Sequence, residues 1–172
     1  MKNNYYQHPI ANIYAKPNQK SEITSQILYG EEFKILNKSK NWLKIKTVYD
    51  NYVGFLKYHK LSNNRFKPSY KVYKLKTKIF KKVKNRFISS KKFLYFGTKI
   101  SVLNSNIKFF EFEKNQWIKK SDLKPINFYE KNFFKILKFF LNTKYLWGGK
   151  TSNGIDCSAL IQIYFYYNRI FF

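Results

Sequence analysis

Tyr145-Leu146-Trp147-Gly148-Gly149-Lys150-Thr151-Ser152-Asn153-Gly154-Ile155-Asp156-Cys157-Ser158-Ala159-Leu160 holds the sole cysteine of the chain and three of its six glycines. Glycine allows sharp turns and close backbone approach. Directly afterwards the chain becomes an apolar run, Ala159 to Phe165 interrupted only by Gln162, long enough for a helix. Cys157 then falls in the first turn of that helix, where unpaired N–H groups and the helix dipole favour negative charge and a thiol loses its proton more easily. A lone cysteine is commonly a small buried hydrophobe. Here it is flanked by Asp156 and Ser158, follows a glycine-rich turn and opens a helix. A core residue needs none of this, and the context favours a nucleophile.

The pattern Tyr-x-Trp-Gly-Gly, a short loop, then Gly-x-Asp-Cys-Ser-x-Leu resembles the nucleophile segment of the NlpC-type cysteine peptidases, papain-like enzymes that cut the peptide stems of bacterial murein. The resemblance covers the last quarter of the chain. It departs from the family at Ala159, where glycine is usual, and at Lys144, where proline is usual. In the family a histidine that holds the thiol and protonates the leaving amine, and a polar group that orients it, follow the cysteine by several dozen residues on strands. This sequence ends at Phe172, fifteen residues past Cys157, and its two histidines, His8 and His59, lie far upstream. The resemblance therefore implies a peptidase domain over 127–172 that is incomplete, a nucleophile without its base and inactive as it stands. A fragment, a frameshifted product and a degenerate enzyme all fit that reading.

Working outward, Phe133, Ile136, Leu137, Phe140 and Leu141 recur at helical spacing, while Lys131, Lys135, Lys138 and Asn142 face the other way. This predicts an amphipathic helix packed on a neighbouring domain. Before Pro125 the period is two. Short apolar stretches separated by turns, Ile10–Tyr14, Ile23–Tyr29, Phe33–Leu36, Trp42–Lys46 and Tyr52–Leu56, predict a small β-barrel over 8–61. Asn12-Ile13-Tyr14-Ala15-Lys16-Pro17, Leu28-Tyr29-Gly30-Glu31 and Tyr52-Val53-Gly54-Phe55-Leu56 make it similar to a bacterial SH3-like domain. Laying Gly30 over Gly97 puts Phe33 on Ile100, Ile45 on Phe112 and, with a shorter loop, Leu56 on Ile118 and Leu61 on Leu123. The repeat predicts a second, divergent SH3-like barrel over 70–124. The polar segment 62–69 is the linker. The expected fold class is thus a mainly β N-terminal region, two small SH3-like barrels, plus the helical opening of a papain-like α+β domain.

This order is similar to a subgroup of the family that cuts between D-glutamate and the diamino acid of stem peptides whose L-alanine has a free amino end. The resemblance implies that Cys157 attacks that carbonyl and forms a thioester. It implies that Asp156 and Ser158 grip the substrate's ammonium, that Tyr145 and Trp147 line the pocket, and that a tyrosine of the first barrel, here Tyr29, reaches the site. From the residues alone, Asp156 is equally a helix N-cap, and Tyr145 and Trp147 are equally core aromatics.

Composition bounds the partners. Lys and Arg number 34 against 9 acidic residues, a net charge of +25. The lysines are spread along the whole length among Asn, Ile, Phe and Tyr, as an AT-rich coding sequence would produce. We read them mainly as a solvated surface that a polyanionic wall or membrane would still attract. No specific nucleic-acid partner, no metal and no other cofactor is expected. One cysteine excludes an internal disulfide framework. No apolar stretch has the length of a membrane span, and the N-terminus has no signal-peptide core, so the expected location is cytoplasmic. The expected function is that of a murein stem-peptide thiol peptidase. A non-catalytic SH3-like module that binds wall peptides and a basic nucleic-acid binder are the alternatives.

Overall fold

The structure is a computed structural model that describes residues 4–58 and 66–170. His59, Leu61, residues 62–65 of the expected linker, and the last two residues of the chain lie outside the described residues. Six strands, β1 (Asn4–Tyr5), β2 (Ile10–Tyr14), β3 (Ile23–Leu28), β4 (Glu32–Ser39), β5 (Trp42–Thr47) and β6 (Val53–Lys57), form an antiparallel sheet in the order β1-β4-β5-β6-β2-β3. In β5, Leu43, Ile45 and Thr47 are buried and Lys44 is exposed, the period of a strand with one wet face. Ile35 pairs with Ile45 and Asn37 with Lys44, so Leu36 is the surplus residue of a bulge and is turned out to solvent. The core is Tyr6, Ile13, Ile27, Phe33, Leu43, Ile45 and Leu56.

Eight more strands follow: β7 (Tyr70–Val72), β8 (Lys76–Val83), β9 (Arg86–Tyr95), β10 (Lys99–Ile100), β11 (Asn104–Ser105), β12 (Phe109–Glu113), β13 (Gln116–Lys119) and β14 (Leu123–Pro125). They make a three-stranded sheet, β10-β7-β14, and a five-stranded one, β11-β12-β13-β8-β9. Their shared core contains Val72, Ile79, Leu94, Ile100, Phe112, Ile118 and Leu123, and it takes in Tyr29 from the first unit. The internal repeat is physical. Gly30 and Gly97 both hold positive φ, at 77° and 80°. Phe33 and Ile100, Ile45 and Phe112, and Leu56 and Ile118 are buried at corresponding places.

The chain closes with α1 (Phe133–Phe139), the two-residue strands β15 (Lys150–Thr151) and β16 (Gly154–Ile155), and α2 (Cys157–Asn168). Asn132 caps α1 by accepting from the Lys135 N–H. Ile136 and Phe140 are buried as their spacing predicts, but Leu141 is 67% exposed. The helix stops at Phe139, and Asn142 takes the left-handed conformation (φ 66°) that asparagine tolerates. The two helices pack on each other and on both β units. Ile136, Phe140, Ala159, Ile163, Tyr164, Tyr166 and Tyr167 form one core with Phe96, and Tyr49, Tyr73 and Leu75 pack against it. Phe96 stacks on Tyr167 at 4.7 Å, and Tyr49 meets Tyr166 edge-on at 5.0 Å.

Three contacts tie the loop before α2 to the first sheet. Gly148 has φ 68°, and a Cβ there would lie 2.9 Å from Ile23 O and 3.0 Å from Ser25 N, so only glycine fits against β3. The Lys150 N–H donates to Gln26 Oε1 at 2.8 Å, and the Lys150 ammonium pairs with Asp50 at 3.1 Å, both side chains being largely shielded from water at 13% and 12% exposed. Removing one partner of a buried pair strands the other charge. Lys150→Met is therefore expected to lower stability by about 3 kcal/mol in urea denaturation. Asp50→Asn added to it should restore most of the loss, because the amide leaves no charge uncompensated and still accepts from the Thr47 hydroxyl.

Candidate active site

Asp156 precedes α2 in extended backbone (φ −93°, ψ 173°) and is its N-cap. Its Oδ1 accepts from the Ala159 N–H at 2.7 Å and the Ser158 hydroxyl at 2.8 Å, and its Oδ2 accepts from the Gly148 N–H at 3.1 Å. One carboxylate thus joins the first turn of α2 to the Gly-Gly turn. Backbone bonds complete the loop: Leu146 N–H to Ile155 O, Ile155 N–H to Lys144 O, Gly149 N–H to Leu146 O and Asp156 N–H to Gly149 O. Cys157 is the first residue of α2 and is exposed, and its Sγ has no hydrogen-bond partner among the described residues. A thiol there is open to a ligand and stands at the positive end of a helix.

Tyr145 bridges Ile155 in parallel, which brings it beside the segment that leads into Asp156 and Cys157. Tyr145 and Trp147 are 65% and 61% exposed, so they are surface aromatics rather than core ones. The structure therefore brings Tyr145, Trp147, Asp156, Cys157 and Ser158 into one loop and helix mouth. Tyr29, the sequence's candidate substrate contact from the first barrel, is buried in this structure. Only 3% exposed, it donates its hydroxyl to Glu113 Oε1 at 2.9 Å and packs edge-on against Phe112 and Phe66, in the seam between the two β units. His8 packs edge-on against Tyr6 in the first unit. Among the described residues no group of three His, Cys, Asp or Glu could hold a metal ion.

Sequence reasoning missed the residues that hold this loop in place. Lys150, Asp50, Glu31 and Gln26 sit between the first sheet and α2. In the sequence Glu31 reads only as the residue after a glycine. Burial pushes the Glu31 carboxyl up to about 7; Asp50 adds to the shift, while Lys150 and Lys99 oppose it. Burial also works against ionised Asp50, but the Lys150 ammonium and the hydrogen bond from Thr47 outweigh it and hold the group below its usual range. Lys150 is raised: burial disfavours its charge, and Glu31 and Asp50 more than compensate. A cavity of about 250 Å³, lined by Glu31, Lys99, Tyr49, Tyr166 and Arg169 among others, opens near the C-terminal end of α2. Twelve helical residues put that end about 18 Å from Cys157.

Residues 13–61 match the bacterial dipeptidyl-peptidase Sh3 domain family, and residues 142–170 match the NlpC/P60 family. The two matches, one in each part of the chain, support an SH3-containing family of the NlpC/P60 type. Dipeptidyl-peptidase 6 of Lysinibacillus sphaericus is a relative 25% identical over 187 aligned residues, which span 94% of this chain and 68% of that protein. The crystal structure of an NlpC/P60 family protein from Bacillus cereus ATCC 10987 matches with a TM-score of 0.78 at 15% identity, over 97% of this chain and 72% of that one. At that identity the likeness is one of fold. It agrees with a mostly β chain carrying the helical start of a papain-like domain.

The buried Glu31 carboxyl makes stability depend on pH. Folded Glu31 keeps its proton to about pH 7, whereas an unfolded glutamate loses it near 4.3. The folded state therefore binds more protons between those values. The resulting stabilisation is complete below the lower value and lost as pH rises through the upper one. Glu31→Gln cannot ionise. Between pH 5 and 7 its unfolding free energy in urea denaturation should fall less with pH than that of the unaltered chain, the two curves diverging by roughly 1–3 kcal/mol. Parallel curves would mean that Glu31 does not titrate in this window.

Proposed function

We propose that this chain belongs to a thiol peptidase of murein stem peptides, with Cys157 as nucleophile and the bond between D-glutamate and the diamino acid as target. The observation that carries the reading is the exposed sulfur at the first position of α2, beside a carboxylate anchored on both oxygens. The dipeptidyl-peptidase relative supports a peptidase, and the resemblance of the nucleophile segment supports the choice of bond.

In this reading Cys157 Sγ attacks the carbonyl carbon next to the diamino acid. The C–N bond breaks, a D-glutamyl thioester forms on sulfur, and the amine leaves with a proton; water then hydrolyses the thioester. Asp156 has lone pairs beyond its three accepted bonds, and the Ser158 hydroxyl is exposed, so together they meet the substrate's ammonium. Tyr145 and Trp147 offer apolar faces to the stem. The thiol proton needs an acceptor that returns it to the leaving amine. The described residues bring none to Sγ, so turnover depends on a base from elsewhere. A second reading, binding without cleavage, is favoured by that same lack of a partner.

One experiment separates the two. The chain is incubated with L-alanyl-D-glutamyl-diaminopimelate, with and without imidazole as an external proton acceptor. The peptidase reading expects release of L-alanyl-D-glutamate, at least about 10³-fold slower in Cys157→Ala, with the affinity of the variant unchanged. Binding without cleavage in either buffer, equal in both proteins, supports the module instead. Neither binding nor cleavage refutes both. An electrophilic thiol probe should also label Cys157 faster than free cysteine at neutral pH.

A further inference from the structure

Between Asp50 and Glu111 the chain has sixteen Lys and Arg residues and no acidic one. The centre of that span is the β8–β9 hairpin. Lys76, Lys78, Lys81, Lys82, Lys84, Arg86, Lys91 and Lys92 are all exposed there, and among the described residues none of them makes an ion pair. Register decides what each face shows. Lys81 pairs with Ile88 and Val83 with Arg86, and paired residues share a face. The outer face near the tip is therefore a quartet of two cations and two aliphatics, with Ile88 54% and Val83 49% exposed. The hairpin's aromatics are used inward: Phe87 stacks on Phe109 at 4.3 Å and meets Trp117 edge-on, and Phe80 meets Phe109 at 5.0 Å. An open groove beside the hairpin gathers Lys81, Lys91, Lys92 and Lys114.

We propose that this hairpin is a peripheral docking surface for an anionic lipid bilayer. Basic residues around a small exposed aliphatic tip are what the headgroup boundary selects, charge attracting to the surface and apolar side chains entering it. Single-stranded nucleic acid would instead call for exposed aromatic faces on which bases stack, and here those faces are packed against the barrel. The surface lies on the second β unit, so this inference stands apart from the chemistry assigned to Cys157.

The test is flotation of the whole chain with phosphatidylcholine vesicles carrying about 30% phosphatidylglycerol, and with pure phosphatidylcholine, at about 100 mM salt. Binding is expected only to the anionic vesicles. Lys81→Gln/Lys84→Gln/Arg86→Gln should weaken it about 100-fold, near fivefold for each cation. Lys16→Gln/Lys20→Gln/Lys44→Gln, which removes the same charge from exposed sites of the first unit, should change it less than about threefold. Val83→Ser/Ile88→Ser, which keeps every charge, should weaken it about tenfold. All six positions in the charge variants, and both aliphatics, are exposed, and a thermal melt verifies that each variant folds. Equal losses from the two triple variants would overturn the proposal in favour of diffuse charge. Tighter binding to a single-stranded oligonucleotide than to vesicles, untouched by Val83→Ser/Ile88→Ser, would overturn it in favour of nucleic acid.

Discussion

A lysine ammonium buried between two domains' worth of structure is the constraint on which the rest turns. Lys150 lies in the loop that leads to Cys157, yet its ammonium pairs with Asp50 and its backbone N–H bonds to Gln26, both in the first SH3-like unit. Taking such a charge out of water is expensive, and a pair of this kind is weak evidence for net stability. What it supplies is registry. With Gly148 pressed against the backbone of Ile23 to Ser25, it fixes where the Gly-Gly turn sits on β3. Asp156 then carries that placement into the helix, because the carboxylate that caps α2 also holds the Gly148 N–H. The barrel is in this sense part of the site's scaffold.

The helical part depends on the barrels for its core as well. Helices of seven and twelve residues are too short to persist alone in water. Here they share one apolar cluster with Phe96 and are flanked by Tyr49 from one β unit and Tyr73 and Leu75 from the other. Aromatic residues, 21% of the chain, make this possible. Large flat side chains bury much area per residue, and their edge-to-face contacts, such as Tyr49 with Tyr166 and Phe133 with Tyr164, fill a junction between elements that meet at irregular angles.

Local periodicity made the strands, the mainly β N-terminal region and the place of Cys157 legible in the sequence, since each depends on neighbours a few residues away. Asp156 as cap follows from the same short-range chemistry. What stayed hidden is long-range. Leu141 fits the helical spacing, but the chain leaves the helix before reaching it. Tyr29 sits in a local cue of the first unit, yet Glu113 of the second β unit, 84 residues on, takes its hydroxyl. Lys150 and Lys71 look like two more surface lysines in a chain of net charge +25. Nothing local distinguishes a lysine that finds a buried acceptor across the fold from one that meets water.

Lys71 helps to explain how α2 presents its N-terminal end. Its buried ammonium donates to Tyr167 O at 2.6 Å and lies 4.0 Å over the Tyr167 ring. Burial, together with Lys99 and Arg169, pushes it down to about 8, which still leaves it charged at neutral pH. A cation at the last turn and a carboxylate at the cap both complement the helix dipole. The last turn is gripped further by Asn168, which exchanges hydrogen bonds with the Glu130 backbone, and by the Tyr49 hydroxyl on Ile170 O. Burial along α2 is concentrated in this C-terminal half, while Cys157, Ser158 and Ile161 remain exposed. With the C-terminal half packed and Asp156 and Ala159 holding the first turn, the Cys157 side chain itself carries no packing duty, so the sulfur can face solvent without loosening the fold that positions it.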